Sequence, residues 1–320
     1  MKDLFSEIEA GLKAIEYPES PANLYDPIAY ILSLGGKRLR PYLLMLVAEG
    51  YGAKRELAIN PALAIEIFHN FTLVHDDIMD NAPLRRGNET VHEKWDENVA
   101  ILSGDTMMVQ AYQHVIKNVP AEMLHEVLEV FNTTSIKVCE GQQLDMDFEE
   151  LDKVSVDSYI HMIRYKTAEL LGGAMRIGAI LGEASEEQKD SVYQFAIEVG
   201  LAFQLMDDLL DVYADQAKFG KQVGGDIIEN KKTYLYLQLE KKISQEDNLA
   251  WDKLKVETDN NKKVEGVKAL YNKYGVDVDT KSLIQAYYTK GLKTLEGLSV
   301  TDSYKSELKK FADQLQSREN

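Results

Sequence analysis

Apolar residues recur at intervals of three and four along nearly the whole chain, which is the period of an amphipathic α-helix. The pattern is clear near the start, at Leu4 and Ile8, and again later, at Val192 and Phe195. Alternating apolar and polar positions, which mark half-buried strands, are scarce. Prolines and glycines are expected at helix ends and corners: Pro18, Pro21, Pro27, Pro41, Pro61, Pro120, Gly35-Gly36, Gly87, Gly104, Gly172-Gly173 and Gly220 to Gly225. The sequence therefore predicts an all-α protein.

One domain is expected to contain all 320 residues. The sequence has no linker rich in Gly, Ser and Pro, no low-complexity tract and no fixed-period repeat. The stretch from Glu240 to about Val276 is the most charged and the least patterned. It is therefore interpreted as a peripheral elaboration of the same domain, and residues 240–320 are expected to form peripheral helices.

The charge balance restricts the possible partners. With 36 Lys and Arg against 53 Asp and Glu, the net charge is −17, so general binding to nucleic acid or anionic membrane is not expected. An anionic substrate must be held by local basic clusters. The single cysteine, Cys139, excludes an internal disulfide and fits a reducing cytosol. Since the first residues are polar and the apolar stretch from Thr167 is interrupted by charges, we expect neither a signal peptide nor a membrane span, and a cytoplasmic location.

Two segments share the pattern Asp-Asp-x-x-Asp. On a helix, the first and last aspartates of this pattern lie one turn apart on the same face. Carboxylates placed in this way repel each other unless a cation lies between them, and such hard oxygen ligands suit Mg²⁺ bound jointly with substrate phosphates. The predicted metal ligands are Asp76, Asp77 and Asp80 in the first segment and Asp207, Asp208 and Asp211 in the second.

Chance is the alternative explanation, because 53 acidic residues in 320 produce roughly one such acidic pattern at random. Glu186-Glu187-x-x-Asp190, flanked by polar residues, fits that explanation and is expected to be a solvated helix face. The two aspartate triplets instead lie within long apolar sequence. Buried carboxylates without a partner cost several kcal/mol each, so a bound cation explains both triplets better.

Short basic clusters supply the direct contacts that a magnesium–diphosphate site needs. Taken singly, each could be solvated surface, but their spacing argues for a site. Arg85 and Arg86 begin five residues after the first triplet, and Lys221 and Lys231 follow the second by ten and twenty. The clusters are Gly35-Gly36-Lys37-Arg38-Leu39-Arg40-Pro41, Arg85-Arg86-Gly87, Tyr165-Lys166-Thr167, Gly220-Lys221 and Lys231-Lys232-Thr233. Arginine suits bidentate recognition of phosphate oxygens, and lysine supplies a compact charge.

Together these motifs resemble those of the trans-isoprenyl diphosphate synthases of the polyprenyl synthetase family. The match runs in order through GGKRLRP, HNFTLVHDDIMD, LRRG, GD, GQQLD, YKTAEL, FQLMDDLLD and GKQVGGDIIENKKT, within residues 35–233. The resemblance implies a helical bundle of the isoprenoid synthase type around a deep central cavity. It also implies a Mg²⁺-dependent prenyltransferase, a homodimer, and two aspartate triplets that face each other across the cavity.

The resemblance implies head-to-tail condensation of isopentenyl diphosphate with dimethylallyl, geranyl or farnesyl diphosphate. The implied catalytic residues are Asp76, Asp77, Asp80, Lys166, Thr167, Gln204 and Asp207. The implied allylic diphosphate ligands are Arg85, Lys166, Lys221 and Lys231, with Thr167 and Gln204 at the reacting centre and Gln142 as a further candidate there. The implied isopentenyl diphosphate ligands are Lys37, Arg40, His69 and Arg86. His69 taken alone reads as a packed helix residue; Glu66 before it and the motif favour the ligand role.

Metal ions and cations would stabilise charge on the departing diphosphate, and an apolar cavity would shield the allylic cation from water. The proton is expected to leave with pyrophosphate, since no matched residue reads as a general base. The chain departs from the family at Asn230-Lys231-Lys232-Thr233, where Gly-Lys-Pro-Thr is usual. The lysine and threonine remain, so the change concerns the shape of the loop.

Product length should depend on residues before the first triplet, where the prenyl tail enters an apolar shaft. Helix spacing indicates Thr72 and Phe68, four and eight residues before Asp76, whereas the family resemblance indicates Phe71. Phe71 followed by Thr72, with no insertion in the triplet, resembles geranylgeranyl rather than bacterial farnesyl diphosphate synthases. The alternative is that Phe68 and Phe71 only fill the core.

Other functions stay open at this point. A class I terpene cyclase carries one aspartate triplet and needs no isopentenyl site, so the second triplet and GGKRLRP argue against it. A silent regulatory subunit of a prenyl synthase is expected to have lost a motif, and none is lost here. Without the resemblance, the residues indicate a helical protein that binds magnesium and diphosphate.

Overall fold

The computed structural model describes residues 2–214 and 224–316, and these residues are almost entirely helical. The elements are α1 (Lys2–Lys13), α2 (Ala22–Ser33), α3 (Leu39–Gly50), α4 (Arg55–Met79), β1 (Leu84–Arg85), β2 (Asn88–Glu89), α5 (Val91–Lys94), α6 (Glu97–Val115), α7 (Ala121–Glu150), α8 (Val156–Ile163), a π-helical turn (Arg164–Ala168), α9 (Glu169–Leu181), α10 (Glu186–Tyr213), α11 (Gly225–Ile228), α12 (Tyr234–Lys242), α13 (Gln245–Lys255), α14 (Asn260–Tyr274), α15 (Val276–Glu296) and α16 (Asp302–Gln316). The prediction of an all-α fold is confirmed.

The chain divides into two compact units. The first comprises residues 1–133, 173–190 and 299–304, and the second comprises residues 134–172, 191–298 and 305–320. That both units form one domain stays a prediction. Each aspartate triplet belongs to a different unit, the first at the C-terminal end of α4 and the second within α10.

The first unit is built around α4, which packs against α3 and α6. This helix is apolar on most of its circumference, and Phe68 in its middle is fully buried. Among the residues described, α4 alone is long and apolar enough to cross a membrane, yet 67% of its most apolar 18-residue window lies buried inside the structure. A helix that is hydrophobic all round and buried in this way is a core helix.

Several prolines and glycines that were expected at helix ends lie inside helices. Pro27 and Pro61 stand within α2 and α4; both are buried, so packing holds the helix despite the missing N–H. Gly104 lies within α6, where a Cβ atom would stand 2.3 Å from His75 Nε2. Gly172 and the adjacent Gly173 lie within α9. The glycine at 104 thus permits a close approach to a neighbouring side chain.

The second unit packs around a hydrophobic cluster to which α8, α10 and α12 contribute. The charged stretch after Glu240 forms the helices α13 and α14, and it is less peripheral than expected. Trp251 of α13 and Tyr271 of α14 are each 2% exposed and belong to this cluster. The many lysines and acids on the other faces of these helices conceal the apolar stripe in the sequence.

Candidate active site

The first aspartate triplet ends α4, and its three carboxylates have different environments. Asp77 is buried, with 1% of its surface exposed, whereas Asp76 is half-buried and Asp80 is exposed. Arg85 donates from Nε to both carboxylate oxygens of Asp77 at 2.8 Å and from Nη2 to one of them at 2.6 Å. The outer two aspartates lie one turn apart, with the N–H of Asp80 bonded to the carbonyl of Asp76 at 2.9 Å.

A short hairpin brings the two arginines to this site. Its strands pair Leu84 with Glu89 and Arg85 with Asn88. The two turn residues, Arg86 and Gly87, both have positive φ, at 54° and 77°, as a type I′ turn requires. An arginine seldom adopts this conformation. The two adjacent arginines have different partners, since Arg85 bonds to Asp77 and Arg86 bonds to the carbonyl of Gly35.

Arg86 reaches the turn that precedes α3. Its Nη1 donates to the carbonyl of Gly35. A Cβ atom on Gly36, whose φ is 142°, would stand 3.1 Å from Nη2 of Arg86. The two glycines therefore form a seat for the guanidinium that a larger residue at position 36 would fill.

Arg38, in the same basic motif, is a structural residue that sequence reasoning did not identify. It is 4% exposed and has a left-handed backbone with φ of 46°. Its Nε donates to Glu9 Oε1 at 2.8 Å, its Nη1 to Glu66 Oε1 at 2.7 Å, and its Nη2 to the carbonyl of Leu32 at 2.7 Å. These bonds connect the basic loop to α1, α2 and α4. The local sequence around Arg38 does not predict them, because all three partners lie elsewhere in the chain.

The structure brings Arg40 and His69 together, two of the residues predicted to bind isopentenyl diphosphate. Arg40 Nη1 lies 3.2 Å from His69 Nε2. Because a guanidinium only donates, Nε2 accepts, and the ring is neutral with its proton on Nδ1. Burial and then the charges of Arg40 and Arg86 hold the pKa of His69 well below 6.5. Lys37 is exposed beside them in sequence, so the cluster is rich in positive charge and suited to an anion.

The three candidate chain-length residues differ in burial. Phe68 is fully buried, and its ring lies 5.6 Å from Phe131 and 5.5 Å from Phe71. Phe71 is half-buried, with its ring 4.9 Å from His75. Thr72 is also half-buried, and its hydroxyl donates to the carbonyl three residues earlier at 2.8 Å. Phe68 thus has the environment of a core residue.

The second triplet repeats the arrangement of the first. Asp208, the middle residue, is buried and accepts hydrogen bonds from Tyr159 Oη and, at 3.0 Å, from Gln204 Nε2. Asp207 and Asp211 are half-buried. In both triplets the protein itself therefore holds the middle carboxylate, and the outer two are the more exposed.

Lys166 and Thr167 lie on the π-helical turn of the second unit. Lys166 Nζ donates to Asp145 Oδ2 at 2.5 Å, and Thr167 Oγ1 donates to Gln204 Oε1 at 2.8 Å. The threonine, the glutamine and Asp208 thus form one chain of hydrogen bonds. Asp145 is the last residue of the GQQLD motif. Sequence reasoning did not identify it as the partner of Lys166, although its position in the motif could have indicated it.

These side chains line a cavity of about 140 Å³ within the second unit. Its polar lining includes Asp145, Lys166, Thr167, Gln204, Asp208, Asp226, Lys231 and Lys232. Lys231 forms an ion pair with Glu229 at 3.1 Å. Lys232 Nζ instead donates to the carbonyl of Phe148 at 2.6 Å. This lysine, which stands where the family usually has proline, therefore has a structural partner.

Asp226 is a further acidic residue of this site that sequence reasoning missed. Its backbone N–H donates to Asp211 Oδ2 at 3.1 Å. Burial, and then the charge of Asp211, raises its pKa to about 7. Burial, and then the charge of Asp226, raises the pKa of Asp208 well above 3.8. A cation would stabilise this concentration of acidic groups, so the residues fit a divalent metal.

The protein side chains alone do not form a complete metal site in the part of the chain that the structure describes. Within residues 2–214 and 224–316, no three His, Cys, Asp or Glu side chains converge closely enough to hold an ion by themselves. A metal here therefore needs further oxygen ligands, which phosphate supplies.

Gln142 is half-buried on α7, and Lys221 lies outside the described residues. Glu186, Glu187 and Asp190 are all exposed, so the prediction of a solvated acidic face is confirmed.

Comparison with known proteins identifies the family. The family model described as polyprenyl synthetase matches residues 21–274. The chain belongs to the polyprenyl synthetase family. A geranylgeranyl diphosphate synthase from Methanosarcina mazei is 39% identical over 239 residues, which is 74% of each chain. Like its named relatives, this polyprenyl synthetase is a prenyltransferase of isoprenoid biosynthesis that elongates prenyl chains.

Solved structures agree with the family in fold. A crystal structure of a geranylgeranyl pyrophosphate synthase is 44% identical and superimposes with a TM-score of 0.94, over 100% of this chain and 99% of that one. A polyprenyl synthase from Caulobacter crescentus, solved with calcium and isoprenyl diphosphate, is 26% identical with a TM-score of 0.87, over 100% of this chain and 95% of that one. This polyprenyl synthetase therefore shares their all-α fold.

Proposed function

We propose that this enzyme condenses isopentenyl diphosphate with an allylic diphosphate and that its main product is geranylgeranyl diphosphate. The observation that carries the proposal is the shared arrangement of the two aspartate triplets. In each triplet the middle carboxylate is buried and bonded to protein donors, and the outer two are more exposed. In each triplet, the two outer carboxylates suit Mg²⁺ that is shared with a diphosphate.

Asp76, Asp80, Asp207 and Asp211 would hold Mg²⁺, while Asp77 and Asp208 support them. When bound, the metal supplies Lewis-acid stabilisation of the leaving diphosphate. Lys166, Lys231 and Arg85 would bind that diphosphate, and Lys221 is assigned the same role from its motif. Lys37, Arg40, His69 and Arg86 would bind isopentenyl diphosphate.

Thr167 and Gln204 would face the reacting carbon. The Thr167 hydroxyl donates its hydrogen bond to Gln204 Oε1, so the lone pairs of its oxygen stay available to the cavity. Met162 and Ile163 provide apolar lining nearby and exclude water from an allylic cation. The isopentenyl double bond attacks that cation, and a proton is then lost to the departed pyrophosphate.

The preference for geranylgeranyl over farnesyl diphosphate rests on Phe71 and Thr72. Both are half-buried, five and four residues before Asp76, where the growing tail would pass. Two of the three relatives named above, the protein from Methanosarcina mazei and the 44% identical solved structure, are geranylgeranyl diphosphate synthases, which supports the same product.

We further propose a homodimer in the cytoplasm. Leu102, Val109 and Ile116 of the first unit are 59%, 60% and 44% exposed, and residues seven apart share one helix face. A second copy of this chain would cover that stripe, because an exposed apolar stripe of this kind marks an association surface.

The test is incubation of purified protein with Mg²⁺, isopentenyl diphosphate and each allylic primer, with chromatography of the products. Geranylgeranyl diphosphate, lost on addition of EDTA and restored by Mg²⁺, is the expected result. A hydrocarbon formed from the allylic diphosphate alone would indicate a terpene cyclase, and inactivity without a second protein would indicate a regulatory subunit. Sedimentation or light scattering should give twice the chain mass.

A further inference from the structure

The π-helical turn Arg164–Ala168 is an irregular element at a functional position, because it carries Lys166 and Thr167. Single π turns within helices are rare and need support from their surroundings. Two close approaches fix the backbone. A Cβ atom on Gly141 would stand 2.2 Å from the backbone nitrogen of Lys166, and one on Gly200 would stand 2.8 Å from the Cβ of Ala168.

The residue directly after the turn, Glu169, is a buried carboxylate with 1% of its side chain exposed. Its Oε1 accepts from Arg164 Nε at 3.1 Å, and Arg164 is the first residue of the turn. Its Oε2 accepts from Tyr193 Oη at 2.6 Å and from Lys137 Nζ at 3.2 Å. One carboxylate thus connects the two ends of the turn to α7 and α10.

We propose that Glu169 is a positioning residue that holds the π-helical turn and thereby aims Lys166 and Thr167 into the diphosphate cavity. Glu169 is absent from the cavity lining, so it acts through the turn. The inference rests on the proposed function, in which Lys166 binds the allylic diphosphate.

The buried carboxylate of Glu169 accepts hydrogen bonds from three donors, and this explains why position 169 needs a charged glutamate. Two of the donors, Lys137 and Arg164, are half-buried cations, and a buried carboxylate needs such partners to offset its loss of hydration. The Lys137 ammonium also lies 5.7 Å from the Tyr165 ring, which places a second contact on the turn itself. A glutamine at position 169 would keep the shape but lose the charge, and would loosen the tie to Arg164.

Glu198 offers a matched control within the same unit. Its side chain is also 1% exposed, and it accepts from Gln194 Nε2 at 2.9 Å, Thr294 Oγ1 at 3.0 Å and Lys290 Nζ at 2.9 Å. It has the same number of donors, one of them a lysine, and does not line the cavity.

The experiment measures KM and kcat with geranyl diphosphate, and the affinity for inorganic pyrophosphate with Mg²⁺ by calorimetry. Glu169→Gln should raise KM and weaken pyrophosphate binding at least fivefold, whereas Glu198→Gln should change both less than twofold. Tyr193→Phe, which removes one donor, should give a smaller change in the same direction, and it serves where Glu169→Gln does not fold.

The Lys166→Ala background separates positioning from general destabilisation. If Glu169 acts through the turn, Glu169→Gln should weaken pyrophosphate binding less than twofold further in that background. An equal fold-change in both backgrounds, or a Glu169→Gln variant that behaves like the Glu198→Gln control, overturns the inference and leaves the proposed function intact. If Lys166→Ala itself binds pyrophosphate like the native chain, the assigned role of Lys166 fails, and the inference fails with it.

Discussion

Arg85 bonds to both carboxylate oxygens of Asp77, within the first unit. The pair makes the middle aspartate of the triplet part of the protein's own hydrogen-bonding framework. In the second unit, Tyr159 and Gln204 do the same for Asp208. The consecutive aspartates, which look equivalent in sequence, therefore have different environments, and we expect them to have different tasks.

The first prediction separates those tasks. Asp80→Asn removes an exposed charge and should lower turnover by about 100-fold while changing the free energy of unfolding by less than about 0.5 kcal/mol. Asp77→Asn removes the partner of Arg85 and should cost about 2 kcal/mol of stability, since hydrogen bonds to charged groups are worth that much. Steady-state rates and urea unfolding measure the two effects. A stability loss at Asp80 equal to that at Asp77 would contradict the division.

The second prediction concerns His69, whose folded pKa lies well below its ordinary 6.5. Below about pH 6.5 the unfolded chain binds a proton at this residue that the folded chain does not. Its contribution to stability is therefore complete above pH 6.5 and falls as the pH drops, by at most about 1.4 kcal/mol per pH unit. Urea unfolding from pH 7 to 5 should show a steeper decline for the native chain than for His69→Gln.

Subtracting the two declines cancels the other titrating groups. Nuclear magnetic resonance of the ring nitrogens gives an independent check, because His69 should stay neutral at pH 6 with its proton on Nδ1. Equal declines, or protonation of His69 near pH 6.5, would show that the Arg40 contact does not persist in solution.

The third prediction tests the backbone contact behind the π-helical turn. In Gly141→Ala the added Cβ atom meets backbone at 2.2 Å, so the turn must shift. We expect turnover to fall about 10-fold and stability to fall by about 1–3 kcal/mol. Gly297→Ala is the control, because its Cβ would meet its nearest atom at 3.5 Å and its φ is −78°. A Gly141→Ala enzyme as active as the control is the contrary result.

The fourth prediction concerns product length. Phe71→Ala should lengthen the products seen by chromatography, since Phe71 is only half-buried near the first triplet. Phe68→Ala should instead cost about 3–5 kcal/mol of stability, as truncation of a fully buried phenylalanine does. An unchanged product profile for Phe71→Ala refutes its role as a depth gauge.

The helical fold was predictable because its period is local: residues three and four apart decide which face of a helix is buried. The aspartate triplets were recognisable for the same reason, since their spacing and apolar context lie within a few residues. The acidic pattern at Glu186 was correctly separated from them by its polar neighbours.

The missed residues depend on contacts that are distant in sequence. Asp226 matters because it lies against Asp211, and Arg38 because Glu9 and Glu66 surround it. The interior prolines were misjudged because packing outweighs local propensity. The stretch after Glu240 was misjudged because Trp251 and Tyr271 are isolated among charged residues.

The seat of Arg86 is supplied by Gly35 and Gly36, about fifty residues earlier in the chain. A fragment that begins after Gly36 would keep every aspartate of the first triplet and the hairpin that carries Arg86. It would still lack the carbonyl that orients this guanidinium. The proposed anion site of the first unit therefore needs two segments that are distant in sequence, and it forms only when both have folded together.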